Sequence, residues 1–191
     1  MRSLALTAFF FCLILAGCGH GGRPAATVPP ADTAKYYSLD AFYRSQLDYV
    51  ELRNFPIYRI RILNGKKDSA AFSKDDFAAL ASSLFRTQTF LPRDKAMYKE
   101  TVFEDQSTDS YTLNYTATDP APAVRSVDIL LDRASNAVKR VFVKSSYRAG
   151  RDTTVEQVFG IKAFKSMQLN RTITAKGYRS TELNYINWND K

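Results

Sequence analysis

The sequence predicts an α+β fold, an antiparallel β-meander of about six or seven strands with one or two helices packed on one face. Three observations carry that prediction. The stretch "SKDDFAALASSLFR", from Ser73, has the apolar spacing of a helix. From Met97 onward the chain turns into strand-like segments rich in β-branched and aromatic residues. These segments are joined by short turns, whereas a parallel pair needs a long crossover that this half of the chain lacks. At 191 residues the length suits one domain with a real core and is too short for two.

The elements follow in order. In "YYSLDAFYRSQLDYVELRNFP", Leu39, Phe42, Tyr43, Leu47 and Val50 lie close to a helical stripe, so a helix is expected over residues 39–50. Ser38 is placed as its N-cap, and Pro56 ends it at the latest. "IYRIRILNGKK" then switches to period two. Tyr58, Ile60 and Ile62 point one way and Arg59 and Arg61 the other, which predicts a strand with a basic outer face leading into an Asn64-Gly65 turn. The helix over residues 73–86 starts at Ser73, with Asp76 three positions on in a near capping box and Asp75 and Asp76 at its positive end. Its apolar face is Phe77, Leu80, Ala81, Leu84 and Phe85. "MYKETVFE" and "SYTLNYTA" flank the short loop "DQSTD", and "AVRSVDILLD" and "AVKRVFVKSSY" flank "RASN". "TTVEQVFG", "SMQLNRTITA" and "STELNYINW" complete the strands, the last two joined around Lys176-Gly177. Pro120 and Pro122 mark a strand boundary.

The beginning of the chain is of another kind. Met1 and Arg2 form a short basic region, an apolar run extends from Leu4 to Ile14, and Leu15-Ala16-Gly17-Cys18 follows. That run is too short to be a comfortable permanent membrane anchor and sits where a secretory signal sits. Leu15-Ala16-Gly17-Cys18 resembles the lipobox of bacterial lipoproteins. The resemblance implies that residues 1–17 are a signal peptide removed before Cys18, and that Cys18 carries the lipid that holds the protein to a membrane. Three acyl chains give stable attachment where a single chain is marginal. Gly19, not an aspartate, follows the cysteine, which in the best-known sorting scheme implies an outer-membrane destination. His20-Gly21-Gly22-Arg23 lacks the acidic cluster found on many surface-displayed lipoproteins of Bacteroidota, so the resemblance implies the periplasmic face. Beyond the lipobox, the chain is similar in texture to small uncharacterised envelope lipoproteins of that group, a resemblance that implies no activity.

Residues 18–34 then read as the lipidated cysteine and a Gly-, Pro- and Ala-rich tether, and residues 35–191 as a single α+β domain. Loss of the leader removes one charge, Arg2, and takes the formal net charge from +8 to +7. It also removes Cys12, so Cys18 is the one mature cysteine and an intramolecular disulfide is excluded.

Several chemistries are excluded or weakened. The one histidine, His20, lies in the tether, which rules out a fixed histidine base or histidine-bearing zinc site in the domain. Neither a Gly-x-Ser-x-Gly elbow nor a Ser-x-x-Lys pair occurs. Asp75, Asp76, Asp105 and Asp109 suit helix ends and turns. Asp128 and Asp132 share a strand face about 13 Å apart, too far for a usual glycosidase pair, though Glu100 or Glu156 could approach either of them across the sheet. No metal site and no cofactor is expected. The basic residues Arg59, Arg61, Lys66, Lys67, Lys139, Arg140, Lys144, Arg148 and Arg151 serve solubility or an anionic surface, with Arg59 and Arg61 as candidate contacts. Nucleic acid is a poor partner for an exported, tethered domain without a recognition motif. Eleven Tyr and thirteen Phe, including Tyr98, Tyr111, Tyr115, Tyr147 and Tyr185 in strands, suit a half-exposed sheet or a shallow aromatic surface for glycan, peptide or lipid.

Three functional classes remain. The first is a membrane-anchored, non-enzymatic binding or structural component of the cell envelope with a protein partner. The second is a carrier or sensor of a lipid or other apolar ligand, which requires a pocket lined by residues such as Phe77, Leu84 and Phe85. The third is a hydrolase with two converging carboxylates.

Overall fold

The computed structural model describes residues 37–89 and 92–189, so the leader, Cys18 and the tether lie outside the described residues. The first helix, α1 (Asp40–Leu52), turns Phe42, Tyr43, Gln46 and Val50 inward. Its N-cap is Leu39, not Ser38, and the Ser38 hydroxyl sits one position upstream, accepting from the Asp40 N–H at 3.4 Å. Strands β1 (Ile57–Leu63) and β2 (Lys66–Phe72) form a hairpin whose turn residues, Asn64 and Gly65, both have positive φ, 49° and 83°. That is the left-handed pair a tight primed turn demands. Helix α2 (Lys74–Thr87) is capped by Ser73, which accepts from the Asp76 N–H at 3.0 Å and donates to Asp76 Oδ2 at 2.7 Å. Asp76 thus holds the capping hydroxyl through its carboxylate, side chain to side chain, where a capping box would return to the backbone N–H of the cap residue.

After a short 3₁₀ turn the meander runs through β3 (Tyr98–Asp105), β4 (Ser110–Ala117), β5 (Val124–Asp132) and β6 (Val138–Arg148). It continues through β7 (Thr154–Lys162), β8 (Ser166–Ala175) and β9 (Tyr178–Asn187). The result is one antiparallel sheet of nine strands in the order β2-β1-β9-β8-β7-β6-β5-β4-β3. The α+β class and the antiparallel meander agree with the sequence reading, and the count is higher than six or seven. The hairpin formed early in the chain docks on the last strand of the meander, pairing Arg59 with Ile186 and Arg61 with Asn184. This arrangement leaves β2 and β3 as the edges.

Alternation, interrupted by two register shifts where β5 pairs with β6, divides the sheet into two faces. One carries Val127, Ile129, Val141, Val143, Phe159, Ile161, Met167, Leu169 and Ile186, all buried, and receives both helices. Tyr43 of α1 stacks on Phe85 of α2 with ring centroids 4.3 Å apart, and both meet the edge of Phe159 on β7 at 6.5 and 6.3 Å. At the other end of α2, Phe77 packs edge-on against Trp188 at 5.1 Å. Burying a large apolar side chain contributes roughly 1.5–3 kcal/mol, so this aromatic cluster is a main tie between helices and sheet.

Buried amides complete the interface. Gln46 Oε1 accepts the N–H of Phe164 at 2.6 Å, holding the β7–β8 turn where Phe164 has a φ of 59°. Gln88, just past α2, donates to Gln157 Oε1 at 3.0 Å and accepts from Ser145 Oγ at 3.3 Å, while its carbonyl accepts the Tyr43 hydroxyl at 2.8 Å. Each buried amide left without a partner would cost about 1–3 kcal/mol, so these contacts fix how the helix layer seats.

Candidate functional site

An apolar ligand between sheet and helices needs room beside Phe77, Leu84 and Phe85. All three are in the packed core, 1%, 6% and 6% exposed, and two of them make the ring contacts just described. The nearby concavity is an open depression between α1 and α2, lined by Tyr43, Leu47 and Phe85 and rimmed by Asp40, Arg44 and Arg86. None of the described helices is long and apolar enough to cross a membrane.

Arg59 and Arg61 share a face of β1, as the alternation requires, but it is the helix side of the sheet and not a basic outer face. Ile57, on the same side, belongs to the core. Arg59 donates through Nε and Nη2 to Asn184 Oδ1 at 3.0 and 2.9 Å, and its guanidinium lies 5.4 Å from the centre of the Phe72 ring. Arg61 Nε donates to Glu182 Oε1 at 2.8 Å, Asn184 Nδ2 donates to the same oxygen at 2.8 Å, and Arg171 Nη1 reaches Glu182 Oε2 at 3.4 Å. Burial pushes the Glu182 carboxyl up, but the Asn184 and Arg61 hydrogen bonds and the charges of Arg61 and Arg171 outweigh it and hold the pKa below its ordinary value. These two arginines are therefore engaged in joining β1 to β9, with Arg171 adding β8 through Glu182.

The carboxylates do not converge. Asp128, on the face away from the helices, accepts from Asn114 Nδ2 at 2.5 Å. Asp132, on the same face as Asp128, organises its own turn through Ser135 and pairs with Lys139 at 3.0 Å. Glu100 pairs in register with Tyr115 and so lies on the helix side, opposite to Asp128. Burial raises the Glu100 pKa and the nearby Lys95 charge partly offsets it. Glu156 is two strands and four residues of register from Asp128, roughly 16 Å away by strand geometry. Among the described residues no group of three or more His, Cys, Asp or Glu is arranged to hold a metal ion.

The face without helices is different in character. Four of the five strand tyrosines singled out from the sequence, Tyr98, Tyr111, Tyr115 and Tyr147, point to the helix side, and only Tyr185 among them points away. Across the middle of the open face the register sets Ile60, Tyr185, Gln168, Gly160, Phe142, Asp128 and Asn114 side by side. Gly160 has a specific role there. A Cβ at this position would stand 3.0 Å from the Phe142 ring, so any larger residue would press on the ring that leans across β7 here. Beside it a shallow groove is lined by Arg140, Phe142, Val158, Lys162, Gln168, Asn170 and Tyr185. Phe142 is 42% and Val158 40% exposed. The side-chain amides of Gln168 and Asn170 have no protein partner among the described residues. The sequence signal for this groove was weak: a glycine inside a strand, which marks a close approach, next to an outward aromatic.

No protein-family model and no curated protein matches the chain. Among solved structures, that of the S. pombe Pct1 RNA triphosphatase in complex with the Spt5 CTD aligns over 82% of each chain, at 10% identity and a TM-score of 0.18. A superposition that poor transfers neither fold nor chemistry.

Proposed function

We propose that this chain is a lipid-anchored, non-enzymatic binding component of the cell envelope. It is attached through Cys18 and the tether of residues 18–34, faces the periplasm from the outer membrane, and meets its partner with the helix-free face of the sheet. The observation that carries the reading is the contrast between the two faces. One is filled by Tyr43, Phe77, Phe85, Phe159 and Trp188, and the other leaves Phe142 and Val158 exposed beside Tyr185 and the side-chain amides of Gln168 and Asn170. The anchoring rests on Leu15-Ala16-Gly17-Cys18. A carrier of apolar ligands has less support because the residues that would line its pocket are packed against one another, and a hydrolase has less because its carboxylates are dispersed.

The test has two arms. In cells fed labelled palmitate, the wild-type chain takes the label and fractionates with the outer membrane, whereas Cys18→Ala stays unlabelled at precursor size. A photo-crosslinking residue at position 158, on the open face, captures an envelope partner or ligand, and the same residue at position 82, on the helix layer, does not. Unlabelled wild type removes the anchoring, and capture from position 82 alone removes the assignment of the binding face.

A further inference from the structure

We infer that Arg59, Arg61 and Arg171, on the helix side of the sheet, form a binding site for a phosphate group, separate from the helix-free face. The three guanidiniums converge because they share one pair of acceptors. Arg61 Nε and Arg171 Nη1 both reach the Glu182 carboxylate, Arg59 reaches Asn184 Oδ1, and Asn184 Nδ2 donates to Glu182 Oε1 at 2.8 Å. The Phe72 ring, 5.4 Å from the Arg59 guanidinium, backs the third fork. The shared carboxylate lies deep and two of the forks lie outward: the Glu182 side chain is 14% exposed, against 42% for Arg61 and 33% for Arg171.

Most of the donors are unused. Each guanidinium carries five N–H bonds. Arg59 spends Nε and Nη2, Arg61 spends Nε and Arg171 spends Nη1, and none has another hydrogen-bond or ion-pair partner among the described residues. Arg171 Nε is buried without an acceptor, which costs free energy until one arrives at that edge of the fork. A clip between strands needs one cation to match Glu182, and two more surround it.

Charge selects the class. The charged side chains on this side of β2, β1, β9, β8 and β7 are Lys66, Arg59, Arg61 and Arg171 against Asp68 and Glu182. Helix α2, on the same side, carries Lys74, Asp75, Asp76 and Arg86 and adds no net charge. The acids of α1 lie with that helix at the other end of the strands, where it meets Phe164 and Asn189. Two positive charges are left over, and a phosphate monoester carries close to two negative ones at neutral pH. Planar forks grip its oxygens in pairs, whereas a lone carboxylate would leave one charge unmatched.

The experiment uses the full chain in nonionic detergent micelles, titrated calorimetrically with inorganic phosphate and glycerol phosphate. Acetate at equal ionic strength is the monoanion control, and phosphatidic acid in mixed micelles, compared with phosphatidylcholine, tests a lipid headgroup as the source. At least one phosphate probe is expected to bind saturably, about tenfold or more tighter than acetate. Arg61→Gln and Arg171→Gln should each weaken it by about tenfold or more with unchanged circular dichroism, and Lys99→Gln, on the distant edge strand β3, should not. Arg61→Lys keeps the charge without the fork and should weaken binding less; it carries the test if Arg61→Gln does not fold. Folded Glu182→Gln, which removes the competing carboxylate, should bind more tightly, a gain that a purely structural clip would not give. Silence of every phosphate probe, acetate binding as tightly, binding left intact in both Arg→Gln variants, or weaker binding in folded Glu182→Gln overturns the proposal. A response to phosphatidic acid alone upholds it with a lipid as the source, and a response to the soluble probes upholds it with a soluble ligand.

Discussion

Glu182 is the residue on which three strands converge. Arg61 approaches from β1, Arg171 from β8 and Asn184 from its own strand, so the carboxylate clips the early hairpin to the end of the meander. Its side chain is 14% exposed, which keeps solvent from replacing those partners. Glu182→Gln keeps the shape and loses the charge, leaving two arginines under-compensated. The expected cost at neutral pH is about 1–3 kcal/mol, read as a drop in denaturation midpoint. The pH dependence has a definite sign. Because the folded pKa is lowered, the stabilisation is complete above the ordinary glutamate value of 4.5 and drains away as pH falls through the folded pKa. The variant should therefore show a shallower loss of stability below pH 4.5 than wild type. Equal slopes would mean that Glu182 is not the group responsible. Asp105, held down to about 2 by the Ser107 and Thr108 hydroxyls and amides, adds to the wild-type and variant curves alike. The alternation of Arg59 and Arg61 against Tyr58, Ile60 and Ile62 was legible in the sequence, but the face was not. Period two specifies two sets and not which is inward, and the partners Glu182 and Asn184 lie more than a hundred residues downstream.

At the scale of elements, local signals place one helix cap and two turns, while the Ser38 cap falls one residue short of the true N-cap, Leu39. The Ser73 cap, the Asn64-Gly65 turn and the Asp105 turn are each set by residues within a few positions. Ser73→Ala removes the hydroxyl that serves the Asp76 N–H and frees the Asp76 carboxylate. It should cost about 1 kcal/mol and lower the melting temperature by about 2–4 °C for a chain of this length. Ser73→Asp, which restores an acceptor, should recover most of that loss, and no change in either variant would show that the cap is idle. The element that escaped the sequence reading is β2. "KKDSAAF" has no apolar alternation because only its last residue is even partly shielded, and an edge strand paired on one side needs none. The open-face groove was equally hidden, since its borders, Phe142 and Tyr185, become neighbours only through the pairing of four strands.

The meander of the whole molecule was legible because each of its pairings closes a short loop, while the docking of β1 on β9 joins segments more than a hundred residues apart and leaves no local trace. The docking nonetheless bears on the proposed binding function, because it decides which sheet face is covered. It brings α1 and α2, which precede and follow the hairpin, onto one face, where their aromatic residues meet Phe159 and Trp188 and fill the interior. Phe85 sits at the centre, stacked on Tyr43 and edge-on to Phe159. Phe85→Ala should cost about 3–5 kcal/mol, the usual range for removing a buried phenylalanine ring, and leave an apolar cavity. Trp188, the one tryptophan, is buried against Phe77 and reports on this interior through its emission. Titrating wild type with a fatty acid or a naphthylamine dye should leave that emission unchanged and give no saturable dye signal, whereas Phe85→Ala should take up the dye. Saturable uptake by wild type with a shift in Trp188 emission would mean that the helix layer opens to admit an apolar ligand, and the carrier function would then displace the open sheet face as the working surface.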